Sequence, residues 1–360
     1  MGAEEDIGLP TRSLAVLVRD LQEPRPGIFW TDLICSVAIV HVVLYLSVPF
    51  PQSIIEGRVV AIIGLAIGVL ALYRASYFNH EIAHQARSRR LPGFETAWNL
   101  SVGIPLLIPS FLYSDHHNHH SMQGFGTAAD AEYLPQNRRG LAGGAALLAA
   151  CFVLPVVYVV RFALLTPAAW ASQSVRRFVD ERASSLGLLG LCARALPTPA
   201  ERKVWRVQEA ACFLYLLGAG AGLITGLIPF GLAAEFSTMM VLVLALHGLR
   251  IMAGHRYQSD GHPKNRLQQV ADSFNFTRNR PLTWLMAPLG FHLHALHHLF
   301  PTIPYHNMPE AHRRIAAALP KDSPYHRAES ASYLREVLNF LRRGAAPDAA
   351  AVGSRGVSAG

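Results

Sequence analysis

Charge is what this chain has least of. Only 16% of its 360 residues are Asp, Glu, Lys or Arg, where a soluble domain carries roughly a quarter. Together with 51% hydrophobic content, that shortage excludes an ordinary soluble enzyme and points to membrane. Cysteine is scarce too. Cys35, Cys151, Cys192 and Cys212 are scattered, and three of them lie in apolar runs. With no C-x-x-C there is no thiolate metal site and no iron–sulfur motif. The start, MGAEEDIGLPTRS, is acidic and polar, unlike a cleaved signal peptide, so the first apolar run is expected to remain as a membrane helix. The net charge of +8 is not gathered into an aromatic-studded patch. The arginines flank apolar segments, as in cytoplasmic loops, and no nucleic-acid partner is expected.

What is present is long apolar runs. Residues about 29–50, 58–78, 207–229 and 234–253 are each long enough to cross about 30 Å of hydrocarbon. Arg87, Arg89 and Arg90 follow the second run, and Arg176, Arg177, Arg182, Arg194, Arg202, Lys203 and Arg206 precede the third. This bias predicts both termini in the cytoplasm. The run 97–113 is short, carries two prolines and reads as re-entrant or interfacial. The run 141–166 is expected to enter and return, or to lie in the interface. A fifth full crossing would put the histidine motifs on opposite faces. The division is then a polar segment at 1–27, a membrane domain at 28–320, an amphipathic C-terminal helix at 321–343 and a disordered tail at 344–360.

Histidine is abundant, with 17 residues, and its placement is ordered. His80 and His84 stand in H-E-I-A-H. His116, His119 and His120 stand in H-H-N-H-H, and His294, His297 and His298 in H-A-L-H-H. On a helix, residues three and four apart share a face, so each cluster is expected to aim its rings into one volume. His255 follows the last span. Nine imidazoles exceed the three or four that one zinc takes and suit two metals. A set of histidines without cysteine at the end of a membrane bundle favours iron and O2 chemistry. H-E-x-x-H alone would name a zinc protease, with Glu81 as general base. His117 points off the shared face. His41 reads as a hydrogen-bonded packing residue inside the first span, and His247 as a possible support for the ligands. His262, His292, His306, His312 and His326 are expected elsewhere.

In this order the motifs resemble the membrane fatty acid desaturase/hydroxylase superfamily, over about residues 30–320. FGTAADAEYLP and HALHHLFPTIPYHNMPEAHRRI resemble its bacterial branch. The resemblance implies an all-α integral membrane fold with four transmembrane helices, re-entrant or interfacial helices and a cytoplasmic helical cap. It implies a non-heme di-iron centre, two iron ions held by His80, His84, His116, His119, His120, His255, His294, His297 and His298, with O2 as co-substrate. Ile251 stands where some relatives place an Asn that holds a water on iron. Glu81, Asp130, Glu132 and His247 are candidates to steady the ligand rings from behind, with Asp115, Asp260 and Asp272 as weaker ones.

The expected reaction is O2-dependent oxidation of a fatty acid or acyl-lipid C–H bond, the leading form being desaturation. Hydroxylation and oxidative decarboxylation to a terminal alkene are alternatives on the same scaffold. No haem or iron–sulfur motif is present, so electrons are expected from a separate ferredoxin or cytochrome-type partner. The expected location is the bilayer of a bacterial inner membrane, with the metal site cytoplasmic. A membrane zinc protease and a histidine-rich transporter are the readings from other classes. The transporter wants ionisable residues in line along the spans, and Asp32, His41 and His247 do not form one.

Overall fold

The computed structural model describes residues 11–47, 55–85, 88–133, 140–186, 194–278 and 280–343. The tail 344–360, expected to be disordered, lies outside the described residues, as does Cys192. The architecture is helical, and the only strands among the described residues are Asn275–Phe276 and Glu329–Ser330, paired in parallel.

Five helices are long and apolar enough to cross a bilayer: Pro26–Leu46, Val59–Gln85, Gly140–Ala171, Pro199–Ile224 and Phe230–Met252. They belong to α2 (Pro26–Ser47), α3 (Ile55–Gln85), α6 (Gly140–Val160, with its continuation to Ala171), α9 (Pro199–Ile224) and α10 (Phe230–Met252). Their outward faces carry bare apolar side chains, among them Ile34, Val42, Ile62, Phe152, Val156, Leu214 and Leu217. So much exposed hydrocarbon is costly in water and natural in lipid. Helix α9 starts on a capping box, Thr198 with Glu201, and has Pro199 in its first turn.

The expectation for 141–166 needs correction. This run does not enter and return: Gly140–Ala171 is one continuous helical stretch of 32 residues. A π turn at Arg161–Leu165 absorbs its irregularity. Contacts from distant parts of the chain fix it at both ends. A side chain at Gly144 would meet Leu341 and Met252. At the other end Arg161 binds Glu209, next to Gln208, which holds Ser110 and Phe111. Three long helices, α6, α9 and α10, separate His120 from His255, yet these two residues come together in one site.

The run 97–113 does double back. Asn99 Nδ2 donates to Ser110 Oγ at 2.8 Å, and Ser110 N–H donates to Asn99 Oδ1 at 2.9 Å. This pins a loop whose buried face packs under the site.

Helix α3 has 31 residues. At about 1.5 Å per residue it outreaches the hydrocarbon core, and its last turns carry His80 and His84 into the cap. The cap has a core of its own. Leu14 and Val18 of α1 (Thr11–Leu17 and the residue after it), Val270 of α11 (Arg266–Asp272), Leu296 of α13 (His294–Leu299) and Ile315 of α14 (Met308–Ala318) pack there. The C-terminal region expected as one amphipathic helix is a short turn of helix, α15 (Pro324–Arg327), the strand and α16 (Tyr333–Arg342). Helix α16 buries Tyr333, Val337 and Phe340 against α6 and α10.

Candidate metal centre

All nine expected histidines converge. His80, His84, His116, His120 and His297 form one group, and His119, His255, His294 and His298 form the other. Within each group one nitrogen of every ring lies within 4.8 Å of the rest. Eight of the nine are buried and His84 is partly exposed. The rings of His120 and His298, 4.3 Å apart, join the groups.

The sequence motifs do not map one-to-one onto the groups. The expectation that each cluster aims into one volume holds for His80 and His84 but fails for both H-x-x-H-H motifs. His116 and His120 enter the first group while His119 enters the second. His294 and His298 enter the second while His297 enters the first. Helical geometry explains the split. Residues four apart differ by about 40° around the axis, whereas the residue three along falls on the other side by about 60°. Each H-x-x-H-H motif therefore gives two rings to one group and one to its neighbour.

Nitrogen pairs face each other at short range. His119 and His255 Nε2 are 3.1 Å apart, His294 and His255 3.1 Å, His116 and His120 3.0 Å, and His297 and His84 3.0 Å. Where the Nδ1 proton of a ring is spoken for, its Nε2 is a lone pair. Asp130 accepts from His119 Nδ1 at 2.9 Å, and Glu132 accepts from His116 Nδ1 at 2.5 Å. Ser273 Oγ donates to the Gln269 carbonyl, so it accepts from His255 Nδ1 at 3.1 Å. The Gln269 amide nitrogen donates to the Ser121 and Lys264 carbonyls, which turns its Oε1 toward His298 Nδ1 at 3.2 Å. His80 has no partner at either nitrogen. Lone pairs converging in a buried space repel unless a cation sits among them. The donor set thus fits two metal ions, with imidazole suited to iron, zinc or copper.

Burial and neighbouring imidazoles hold His116, His120, His255, His294, His297 and His298 well below the usual histidine range. These rings are neutral at pH 7, as metal ligation requires. His119 goes the other way. Burial opposes its proton, but the Asp130 charge and hydrogen bond outweigh that and raise it. Asp130 itself, despite burial, is kept below its usual range by His119 and by the Gly126 and Glu132 N–H groups. Burial pushes Glu132 up to about 7.

The other expected residues fall as follows. Asp130 and Glu132 back ligand rings as anticipated. Glu81 does not: its Oε2 accepts from Tyr305 N–H at 3.2 Å, and its Oε1 is 3.7 Å from His80 Nδ1. It ties α3 to the loop after the third motif. His247 bonds Ser76 Oγ at 2.9 Å and packs edge-on to Tyr73, away from the nine rings. Asp272 accepts from Tyr133 OH at 2.9 Å and stands 3.7 Å from His255 Nδ1. Asp115 accepts from Ser185 Oγ, and Asp260 pairs with Lys264. His117 is exposed and bonds the Ser114 carbonyl; His41 bonds the Val37 carbonyl. Sequence reasoning missed Ser273 and Gln269. They lie four apart on one face of α11 and its end, a weak signal with no motif around it.

An apolar cavity adjoins the first group. Ile108, Leu154, Leu186, Leu244 and Ile251 line it, with His80, Tyr113 and Glu132 at its inner end. A smaller pocket shares His80, Tyr113, Glu132, Arg250 and Ile251 and continues to His119, His255 and His294. The site therefore sets two polyhistidine clusters at the head of a greasy slot. Such a site can bring a hydrocarbon chain to a metal-based oxidant.

Comparison with known proteins agrees. A family model described as Fatty acid desaturase matches residues 57–329. The chain is 35% identical over 339 residues to a ceramide hydroxylase of Caulobacter vibrioides (strain NA1000 / CB15N), covering 94% of each chain. A buried polyhistidine centre, a membrane bundle and these matches lead to one conclusion: the chain belongs to the fatty acid desaturase family and is an integral membrane oxidoreductase that acts on lipids.

Proposed function

We propose that the protein hydroxylates an acyl lipid of the ceramide type with O2, at a di-iron centre held by the nine histidines. The observation that carries this reading is the convergence of the two histidine groups at the end of an apolar slot. The likeness to a ceramide hydroxylase along nearly the whole chain favours hydroxylation and an N-acylated lipid.

When bound, the iron supplies with O2 the oxidising power that side-chain acid–base chemistry lacks for an unactivated C–H bond. The chain's own residues do the rest. Asp130, Glu132, Ser273 and Gln269 fix ring tautomers, so that each lone pair points inward. Ile108, Leu154 and Ile251 hold the hydrocarbon and exclude water. In balance, R–H, O2, two electrons and two protons give R–OH and water. The electrons come from a separate ferredoxin or cytochrome-type protein, since the sequence carries no haem or iron–sulfur motif. The site faces the cytoplasm of a bacterial inner membrane, the side on which exposed Arg89 and Arg90 follow α3.

Desaturation is the second reading, favoured by the family match. It uses the same O2, electrons and protons and returns two waters and a double bond. The protease reading is disfavoured. Glu81 is 2% exposed and held by Tyr305 N–H, so it does not face a water, and His80 and His84 share their site with three more histidines.

Membranes carrying the protein, incubated with an N-acyl sphinganine, a reductase system and 18O2, test the reading by product mass. A gain of one 18O atom is expected. A loss of two hydrogens without label supports desaturation instead. An unchanged lipid pool, with reductant shown to reach the protein, contradicts both.

A further inference from the structure

The apolar slot contains Asn79, whose amide no described residue satisfies, and Arg250, which no described carboxylate pairs with. Asn79 is 4% exposed, and neither its amide nitrogen nor its amide oxygen has a hydrogen-bond partner. Arg250 lines the same slot. Its guanidinium lies 4.7 Å from the Tyr77 ring centre and 4.9 Å from that of Phe291. Its Nε has no partner, its one side-chain hydrogen bond is a 3.5 Å contact to Tyr77 OH, and no carboxylate lies within ion-pair reach among the described residues. Burying an amide with both halves unpaired is costly, and burying a cation without an anion more so. The fold keeps both groups in a cavity lined mainly by apolar and aromatic side chains, with Ser76, His80, Glu132 and His247 as its other polar groups.

We propose that Asn79 and Arg250 recognise the amide bond of an N-acyl lipid and so select it over the matching ester. The argument is one of matching. Asn79 offers an unused donor and an unused acceptor. A secondary amide offers an acceptor C=O and a donor N–H, and satisfies both halves. An ester satisfies only the donor half and leaves Asn79 Oδ1 buried and unpaired. Arg250 adds a donor to the carbonyl, and its charge is offset by the amide dipole and the aromatic faces. His247, bonded to Ser76, closes the polar side of the slot. Asn79 also directly precedes His80 in α3. Asn79 and His80 line the same slot, so an amide held by Asn79 lies beside the first histidine group. This deepens the proposed function and rests on its lipid-oxidation reading.

The test has a binding arm and a product arm. Purified protein is titrated with N-octanoyl sphinganine and with the matching octanoyl ester, and the same pair in long-chain form is offered for turnover. The wild type is expected to prefer the amide at least about tenfold, because a buried hydrogen-bonding group rejects a ligand that leaves it unpaired. Asn79→Leu is expected to collapse that ratio toward one. Asn79→Asp, which keeps the acceptor for the amide N–H but loses the donor, and Arg250→Lys, which loses the fork on the shared carbonyl, are each expected to weaken both ligands severalfold and leave the preference standing. They serve if the leucine variant does not fold. Tandem mass spectrometry should place the new oxygen close to the amide. Equal binding of amide and ester by the wild type, a preference that survives in Asn79→Leu, or unchanged binding of both ligands in the other two variants overturns the assignment. A binding preference without turnover supports it while contradicting the proposed function; turnover without preference does the reverse.

Discussion

The two histidine groups are built on different principles. In the group of four, three rings are held from behind by hydrogen bonds, Asp130 on His119, Ser273 on His255 and Gln269 on His298, while the Nδ1 of His294 has no partner among the described residues. In the group of five, Glu132 holds His116, while His80 and the Nδ1 of His120 have no protein partner. His80 is instead fixed by packing on α3, with its ring stacked on Tyr77 at 5.0 Å. The group of four thus has polar partners on three of its rings, and the group of five on fewer, with two of its rings carried by the long helix α3. Rings oriented by hydrogen bonds can be loosened one at a time by small substitutions. Rings oriented by a helix respond to packing.

The largest expected effect comes from removing a ring. His255→Ala or His120→Ala should leave less than about 1% of turnover, because each takes one ligand from a site that needs three or more. Metal analysis should show the loss confined mainly to one ion per chain. Loss of both ions in equal measure from either variant would mean the groups are one cooperative unit.

Next comes Asp130→Asn, which weakens the charged partner of His119. About a 10–100-fold fall in metal affinity or turnover is expected, the range usual for a lost partner of a ligand histidine. Chelator competition on the purified protein measures it. Gln269→Leu should cost less, since it removes one neutral hydrogen bond of about 1 kcal/mol. Tyr77→Leu, by contrast, should disturb the group of five and leave the group of four intact.

The smallest effect is on the pH dependence of the metal-free protein. His116, His120, His255, His294, His297 and His298 are held neutral when folded and protonate near pH 6.5 when unfolded. The unfolded state therefore binds more protons below pH 6.5, and stability falls as pH falls. The slope is at most about 1.4 kcal/mol per pH unit for each such ring. His119 has the opposite sign, being raised: its contribution is present below about pH 6.5 and is lost as pH rises through its folded value. Asp130→Asn should therefore steepen the acid loss, as His119 joins the neutral set. Melting curves in detergent between pH 7 and 5 read this out.

How much of this was legible in the sequence varies by feature. The nine rings were, because histidines at helical spacing in an apolar chain leave few other uses. Asp130 and Glu132 were, because they stand 11 and 16 residues from the rings they hold and beside the second motif. The division into five and four was not. It depends on how two short helices, His116–His119 and α13, approach the end of α3 and the segment after α10, and the one-motif-one-volume expectation ignored the 60° offset of the i+3 ring. Ser273 and Gln269 were not, because nothing in their local sequence marks a hydrogen bond to a histidine 18 or 29 residues away. The long apolar helices were plain from hydropathy, yet the course of Gly140–Ala171 was not. Its ends are fixed by contacts to Leu341 and Glu209, far off in the chain.

The most direct test of the central claim is the metal content of the detergent-purified protein, by elemental mass spectrometry. Two irons per chain are expected, falling to about one in His255→Ala. One zinc per chain, or wild-type iron retained in that variant, would contradict the account.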